Sequence, residues 1–180
     1  MARHVLGSVD LVREITHFQA GVAVEVRPFA RCRRATTVIG HFTTFCCPDT
    51  AALALHDLHT ALLGPWFAIH DDLRRVLAHA PLWRDLLMYY AAFHGRLELL
   101  QRLQGRRDLP HLLDVAAWSG HVAVVAYLDQ EGFTGCTHRA VDLAAAAGSE
   151  EVVAYLLSRR KEGCSERALD GAAARGALDV

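Results

Sequence analysis

The sequence predicts an all-α protein built from repeated helix pairs, and three observations lead to that fold class. Gly95, Gly120, Gly148 and Gly176 are spaced by 25, 28 and 28 residues, within the range of periods found in solenoid proteins. An Ala-Ala pair ends three residues before each of these glycines, and an apolar pair follows the first three of them. The apolar pairs are Leu99-Leu100, Val124-Val125 and Val152-Val153.

Residues 139–160 form the clearest unit. The first predicted helix ends in four alanines, which allow another helix to approach closely, and Gly148 can adopt the positive φ that ends a helix. Residues 149–160 have the spacing of a half-buried helix, with an apolar stripe made of Val152, Val153, Leu156 and Leu157. Neither helix can bury its apolar face alone, so the unit requires neighbours of the same kind.

The four units resemble the ankyrin repeat, whose motif runs TPLHxAAxxGHxxVVxxLL. The segments ending at the four glycines read YYAAFHG, DVAAWSG, DLAAAAG and DGAAARG, and Gly120-His121 with Val124-Val125 is the copy most similar to the motif. The resemblance covers residues 83–180, as units 83–108, 109–135, 136–163 and a truncated fourth unit, 164–180. It implies an ankyrin-type helix-turn-helix solenoid, in which a period below the usual value of about 33 residues leaves room only for short loops.

An aspartate recurs in three of the units. Asp114, Asp142 and Asp170 stand where the ankyrin motif has histidine. A buried carboxylate is costly unless it accepts hydrogen bonds. We therefore expect each aspartate to accept bonds from backbone or Ser/Thr donors of a neighbouring loop, and so to connect one unit to the next.

Residues 1–82 are predicted to form a helical cap region that covers the apolar end of the solenoid. Ser8 can cap a helix over residues 9–20. Further helices are predicted over residues 50–63, ended by Gly64-Pro65, and from Asp71 or Asp72 to Pro81; they belong either to the cap or to a degenerate earlier unit. Residues 36–47, with the sequence TTVIGHFTTFCC, favour a strand or a loop.

Residues 5–36 also resemble an F-box in the order of their features. A DLVREI helix is followed by an apolar segment that ends in CRR, whereas an F-box normally carries proline where Ser8 stands and tryptophan where Ala35 stands. This resemblance implies an alternative function, as an F-box-type substrate adaptor of a ubiquitin ligase in which the solenoid recruits the substrate.

Composition and charge exclude several classes of protein. The 180 residues are 52% hydrophobic and 22% charged, so the chain can bury a substantial core. A net charge of −1 offers no electrostatic footprint for nucleic acid, and no apolar run approaches the roughly 18 residues of a membrane span. Five cysteines without a signal peptide favour a reducing compartment. We expect an intracellular monomer, cytoplasmic or nuclear.

Candidate catalytic and metal-binding residues are few. His41, Cys46, Cys47, His56 and His59 form a local cluster, but adjacent cysteines and the HDLH spacing do not fit structural zinc sites. The two His-Asp dipeptides, at residues 56–57 and 70–71, lack the further ligands of a metal-dependent hydrolase. No phosphate-binding glycine loop or nucleophile elbow is present. The sequence therefore predicts no enzymatic activity, no metal and no cofactor.

The ankyrin resemblance implies a surface that binds a protein partner. In that family the two residues between Ala-Ala and the glycine lie near the concave face and vary between proteins. Tryptophan and arginine are enriched in binding hot spots; in the alternative interpretation, Phe93 and Trp118 belong to the core. The predicted partner-binding residues are Phe93, His94, Trp118, Ser119, Ala146, Ala147 and Arg175. The expected function is a non-enzymatic protein–protein interaction module that binds neither nucleic acid nor membranes.

Overall fold

The computed structural model describes residues 26–32, 34–44, 48–70, 73–80, 82–161 and 163–174. All regular secondary structure within these ranges is helical, which confirms the all-α class. The predicted helix over residues 9–20, most of the F-box-like segment, Cys46, Cys47 and the end of the fourth unit with Arg175 lie outside the described residues.

The helices follow one another with short connections. Helix α1 spans Arg27–Arg31, α2 spans Arg34–Thr44 and α3 spans Pro48–Leu58; a π-helical segment, His59–Leu63, joins α3 to α4, Gly64–Phe67, and α5 spans Arg74–His79. The remaining helices are α6 (Leu82–Phe93), α7 (Leu97–Leu103), α8 (Leu112–Trp118), α9 (Val122–Gln130), α10 (His138–Ala147), α11 (Glu150–Arg159) and α12 (Glu166–Ala174).

The helices from α6 onwards are arranged in two rows. Helices α6, α8, α10 and α12 pack against one another in chain order and form the first row. Helices α7, α9 and α11 form the second row, in which each helix packs on the first-row helix that precedes it and on its second-row neighbours. Helix α2 packs on both α6 and α3, so it extends the first row by one helix on the N-terminal side.

Small residues bring the first-row helices close together. An added Cβ on Gly171 of α12 would stand 2.9 Å from the Cα of Ala146 in α10. The predicted left-handed turn is confirmed at Gly148, whose φ is 74°. The Ala-Ala columns of the first three units are buried, namely Ala91-Ala92, Ala116-Ala117 and Ala144-Ala145.

The second-row helices bury the three predicted apolar pairs, and α11 also buries Leu156. The prediction that Leu157 completes the stripe is wrong, since this residue is 53% exposed. Helix α11 packs on α9 and α10, and Leu157 lies beyond the stripe that those contacts cover.

Two buried aspartates connect successive units. The carboxylate of Asp114 accepts 2.8 Å hydrogen bonds from the backbone N–H and from the hydroxyl of Thr137. Asp142 accepts the same two bonds from Ser165, the equivalent residue one unit later. Each hydroxyl also accepts a bond from the backbone N–H two residues further on, at the start of α10 or α12. The expected connection is therefore confirmed for these two aspartates, and we call it the aspartate lock; Asp170 is exposed.

The first unit has a tyrosine in place of the aspartate. The hydroxyl of Tyr89 donates a 2.7 Å hydrogen bond to the carbonyl of Pro110, just before α8. Burial raises the pKa of this hydroxyl, so it remains a donor at neutral pH. Its ring stacks on Phe42 of α2, with centroids 4.7 Å apart. Tyr89 therefore connects its unit forward to α8 and back to α2.

The segment predicted as strand or loop, residues 36–47, is helical as far as Thr44. Val38 and Phe42 of α2 are buried and lie one helical turn apart, as on one face of an amphipathic helix. The hydroxyls of Thr43 and Thr44 both donate to the carbonyl of Gly40, so these polar groups are satisfied within the helix. Packing on α6 outweighs the β propensity of the segment, because that propensity depends strongly on context.

The prediction that Gly64-Pro65 ends a helix is also wrong. The backbone continues through the π-helical segment into α4, and the chain turns only after Phe67. Pro65 lies in the first turn of α4, where its fixed φ and missing N–H are tolerated. Burial of Leu63 and Trp66 on either side of the dipeptide favours this continuation over a turn.

Replacing Asp142 with alanine is expected to destabilise the protein by about 2–3 kcal/mol, because bonds to a charged group are lost and the N–H of Ser165 loses its acceptor. Asp170→Ala is the matched control, since Asp170 has the equivalent position in α12 but is exposed. Urea unfolding followed by circular dichroism measures both variants. Equal losses of unfolding free energy would contradict a stabilising role for the aspartate lock.

Candidate protein-binding surface

Phe93 and Trp118 lie at the C-terminal ends of α6 and α8, neighbouring helices of the first row. Their ring centroids are 5.5 Å apart and their planes are inclined by 54°. Both side chains are half-buried and pack against the core. Each is therefore partly exposed, as the partner-binding prediction expects, and partly buried, as the alternative core interpretation expects. An aromatic pair of this kind contributes about 0.5–1.5 kcal/mol, which connects the two units while part of each ring stays at the surface.

The other predicted partner-binding residues differ in accessibility. Ser119 is half-buried, and its hydroxyl donates a 3.0 Å bond to the carbonyl of Val115, so this donor is used within α8. Ala147 is half-buried, and Ala146 lines a cavity between α10 and α12. Arg175 lies outside the described residues. The structure therefore brings Phe93 and Trp118 together and places Ala146 in a separate groove.

His121 was not among the predicted site residues, yet it connects two units beneath the aromatic pair. Its Nε2 lies 3.2 Å from the carbonyl of Phe93, close enough to donate in the tautomer that carries the proton there. The ring fills the space over Gly95, where an added Cβ would stand 2.7 Å from Nδ1 of His121. The Gly-His step that this segment shares with the ankyrin motif is the signal that could have identified it.

His94 is half-buried, as Phe93 and Trp118 are, and its ring packs beside other aromatic side chains. Its ring centroid lies 4.6 Å from that of Tyr90 and 5.3 Å from that of His59. Its Nε2 atom is buried and has no hydrogen-bond partner among the described residues. Burial, followed by the charges of His59 and Arg96, lowers the pKa of His94 to about 4. The imidazole is therefore neutral at physiological pH.

An aromatic cluster joins the α3–α4 segment to the first unit. Nδ1 of His59, the first residue of the π-helical segment, lies 2.8 Å from the hydroxyl of Tyr90. The guanidinium of Arg96 lies over the rings of Phe67 and Tyr90, at 5.3 and 5.4 Å from their centroids. Cation–π contacts contribute about 0.5–1 kcal/mol each at exposed sites. The sequence did not predict this cluster because its members come from separate helices and turns.

His111, Asp114 and Thr137 have the residue types of a nucleophilic triad but not its connectivity. His111 Nδ1 lies 2.8 Å from Oδ2 of Asp114, and the hydroxyl of Thr137 donates to the same carboxylate. In a triad the hydroxyl is bonded to the imidazole, which removes its proton. Here the carboxylate holds both groups, so the arrangement can connect α8 to α10 but does not activate the hydroxyl.

In the described part of the chain, no group of three or more His, Cys, Asp and Glu side chains is placed to hold a metal ion. None of the described helices has both the length and the apolar character needed to cross a membrane.

The low pKa of His94 predicts a loss of stability in acid. The pKa is about 4 in the folded protein against an ordinary value of 6.5, so the unfolded chain takes up the proton first as the pH falls. This contribution to stability should be fully present above pH 6.5, decrease between pH 6.5 and 4, and change no further below that. Urea midpoints at several pH values across this range measure the effect.

The variant His94→Gln should lose this part of the pH dependence. His138→Gln is the control, because His138 is an exposed residue at the start of α10 and its replacement should leave the pH profile unchanged. A wild-type profile retained in His94→Gln would show that another group causes the acid sensitivity.

Comparisons with known proteins add no family to this description. No family model, no curated protein and no solved structure matches the chain. The contacts and charges of its own side chains are therefore the evidence for the function of this surface.

Proposed function

We propose that the protein is a non-enzymatic, ankyrin-type repeat protein that binds a protein partner through the surface around Phe93 and Trp118. The main observation that supports this proposal is the contact between the two rings. It joins adjacent units at the C-terminal ends of first-row helices, and each ring keeps part of its surface exposed. Large aromatic side chains held rigidly beside small residues are the usual anchors of protein interfaces.

Three features support the ankyrin-type interpretation. Helix pairs follow one another in two rows, and left-handed glycines separate the two helices within each of the pairs α6–α7, α8–α9 and α10–α11. The connections between pairs contain no strand in the described residues, as expected for units shorter than the usual ankyrin period. The aspartate lock stands where the ankyrin motif places its histidine, and it joins a first-row helix to the residue that precedes the next one.

The chemistry of the polar groups supports binding over catalysis. Both oxygens of Asp114 and of Asp142 accept bonds from the next unit. His94 is held neutral among aromatic rings. These groups stabilise the stack and leave apolar and cationic side chains as the features available to a partner.

The alternative function, as an F-box-type adaptor, depends on residues 5–36. The structure describes only residues 26–32 and 34–36 of that segment, and no contact among them favours this alternative. An interaction module of the ankyrin type is therefore the function that the geometry supports best.

The proposal predicts that Trp118→Ala weakens binding to a partner that the wild-type protein captures from cell extract. With the purified partner, calorimetry should show a loss of about 2 kcal/mol, since truncating a central aromatic anchor costs at least that much. Leu157→Ala is the matched control, because Leu157 is an exposed apolar residue of the second row and should not contact the partner.

Stability has to be measured beside affinity, because Trp118 is half-buried and also packs against the core. Trp118→Phe keeps an aromatic ring and should retain most of the stability. A partner that binds wild type, Trp118→Ala and Leu157→Ala with equal affinity would contradict the proposed surface.

A further inference from the structure

One side of α12 exposes positions that are buried in the two preceding first-row helices. Leu169 is 69% exposed, whereas the equivalent residues, Leu113 of α8 and Val141 of α10, are 0% and 5% exposed. Asp170 and Ala173 are also exposed, although their equivalents in α8 and α10 are buried. The three exposed residues share one side of the helix, because they are adjacent or four positions apart. We call these three residues of α12 the end face.

The equivalent faces of α8 and α10 are each covered by the next first-row helix. Helix α10 packs on α8, and α12 packs on α10. In both cases the aspartate of the covered face accepts bonds from the N–H and the hydroxyl of the residue that precedes the covering helix, Thr137 or Ser165. Asp170 therefore stands where the carboxylate of a further aspartate lock would stand if another helix covered the end face.

The two covering helices share a residue pattern. Each follows a Thr or Ser and carries alanine three and seven residues after it, on one side of the helix. All four alanines are buried, namely Ala140, Ala144, Ala168 and Ala172. The helices approach closely, since an added Cβ on Gly171 of α12 would stand 2.9 Å from the Cα of Ala146 in α10. A helix that covers the end face is therefore expected to carry the pattern Ser/Thr-x-x-Ala-x-x-x-Ala.

A second copy of this chain does not offer such a helix. The pattern occurs twice in the sequence, at Thr137 and at Ser165, and both residues already bond to Asp114 and Asp142 within the chain. In a symmetric contact between two copies the end face would meet itself. The two Asp170 carboxylates would then face each other as like charges, which is unfavourable at an interface. The helix that fits the end face therefore belongs to another protein.

We propose that the end face binds a helix of a partner protein that carries the pattern Ser/Thr-x-x-Ala-x-x-x-Ala. The N–H and the hydroxyl of the Ser or Thr donate to the carboxylate of Asp170, as in the two existing aspartate locks. The two alanines pack on Leu169 and Ala173. Hydrogen bonds to a charged acceptor are stronger than bonds between neutral groups, so Asp170 selects the residue that opens the helix. This face is distinct from the Phe93–Trp118 surface, so the inference goes beyond the proposed function.

The probe is an acetylated peptide with the sequence of residues 137–148, which contains the pattern and keeps an amide N–H on its first residue. It is titrated into the ¹⁵N-labelled full chain and followed by NMR, which detects weak binding and identifies the residues involved. Amide signals of Leu169, Asp170 and Ala173 should shift. Asp170→Ala should weaken binding by about tenfold or more, because the peptide loses a charged acceptor. Asp57→Ala is the matched control, since Asp57 is an exposed aspartate of α3.

Variants of the peptide test the opening residue. Thr137→Ser in the peptide should keep the affinity, because Ser165 performs the same task in the chain. Thr137→Val should weaken binding to the wild-type chain by about tenfold or more. Since Thr137→Val also weakens the cap of the peptide's own helix, it is titrated into Asp170→Ala as well. The loss should be clearly smaller there, because the acceptor of the hydroxyl is already absent.

Several outcomes would overturn the inference. They are the absence of shifts on the end face at millimolar peptide, equal affinity for wild type and Asp170→Ala, and equal losses from Thr137→Val in both chains. A dimer of the full chain that is weakened by Asp170→Ala would assign the end face to a second copy instead. Peptide binding that appears only after removal of residues 175–180 would assign it to the chain's own C-terminal segment. The Phe93–Trp118 surface is tested separately by Trp118→Ala, so either proposal can fail alone.

Discussion

The stacking of the units depends on the aspartate lock. One carboxylate in each of two successive first-row helices accepts the backbone N–H and the hydroxyl of the residue that opens the next first-row helix. The same hydroxyl accepts a bond inside the helix that it opens. A local helix cap and a long-range contact therefore share the same atoms. A buried carboxylate without these donors would be costly, so neither helix can shift along the other without losing both interactions.

The bonds between units determine which residues of neighbouring first-row helices meet. Tyr89 connects α6 to α8 through its bond to the carbonyl of Pro110, and at the C-terminal ends of these two helices the rings of Phe93 and Trp118 are in contact. The lock of Asp142 connects α10 to α12, and Arg139 and Arg167, near the N-terminal ends of these helices, line one groove between them. The aromatic pair and the groove therefore lie beside two different bonds between units.

Aromatic contacts connect the described helices on the N-terminal side, which have no aspartate lock. On the N-terminal side Tyr89 replaces the carboxylate and stacks on Phe42, and Trp83 donates through its indole N–H to the carbonyl of Phe29. Rings can join helices of less regular geometry because their contacts tolerate a range of angles. The packing has an electrostatic consequence, since it encloses His94 beside Arg96 and His59 and lowers its pKa. The acid sensitivity expected of the protein therefore comes from the junction between the first unit and the α3–α4 segment.

The sequence by itself determined the features that recur at fixed spacing: helix pairs, left-handed glycines, buried Ala-Ala columns and the aspartates that accept Ser/Thr donors. Each of these is a short residue pattern that fits only a few local structures, and its repetition at a fixed spacing makes it recognisable in the sequence. Tertiary structure alone decided the rest. Residues 34–44 are helical because Val38 and Phe42 pack in the stack, whereas their local preference is for strand or loop. His94 and Trp118 occupy the same kind of position in the sequence, between Ala-Ala and glycine, and both are half-buried, but their ring neighbours differ. His94 packs beside Tyr90 and His59, whereas Trp118 packs beside Phe93. Contacts with residues distant in the sequence leave no periodic signal, so only the tertiary structure shows this difference.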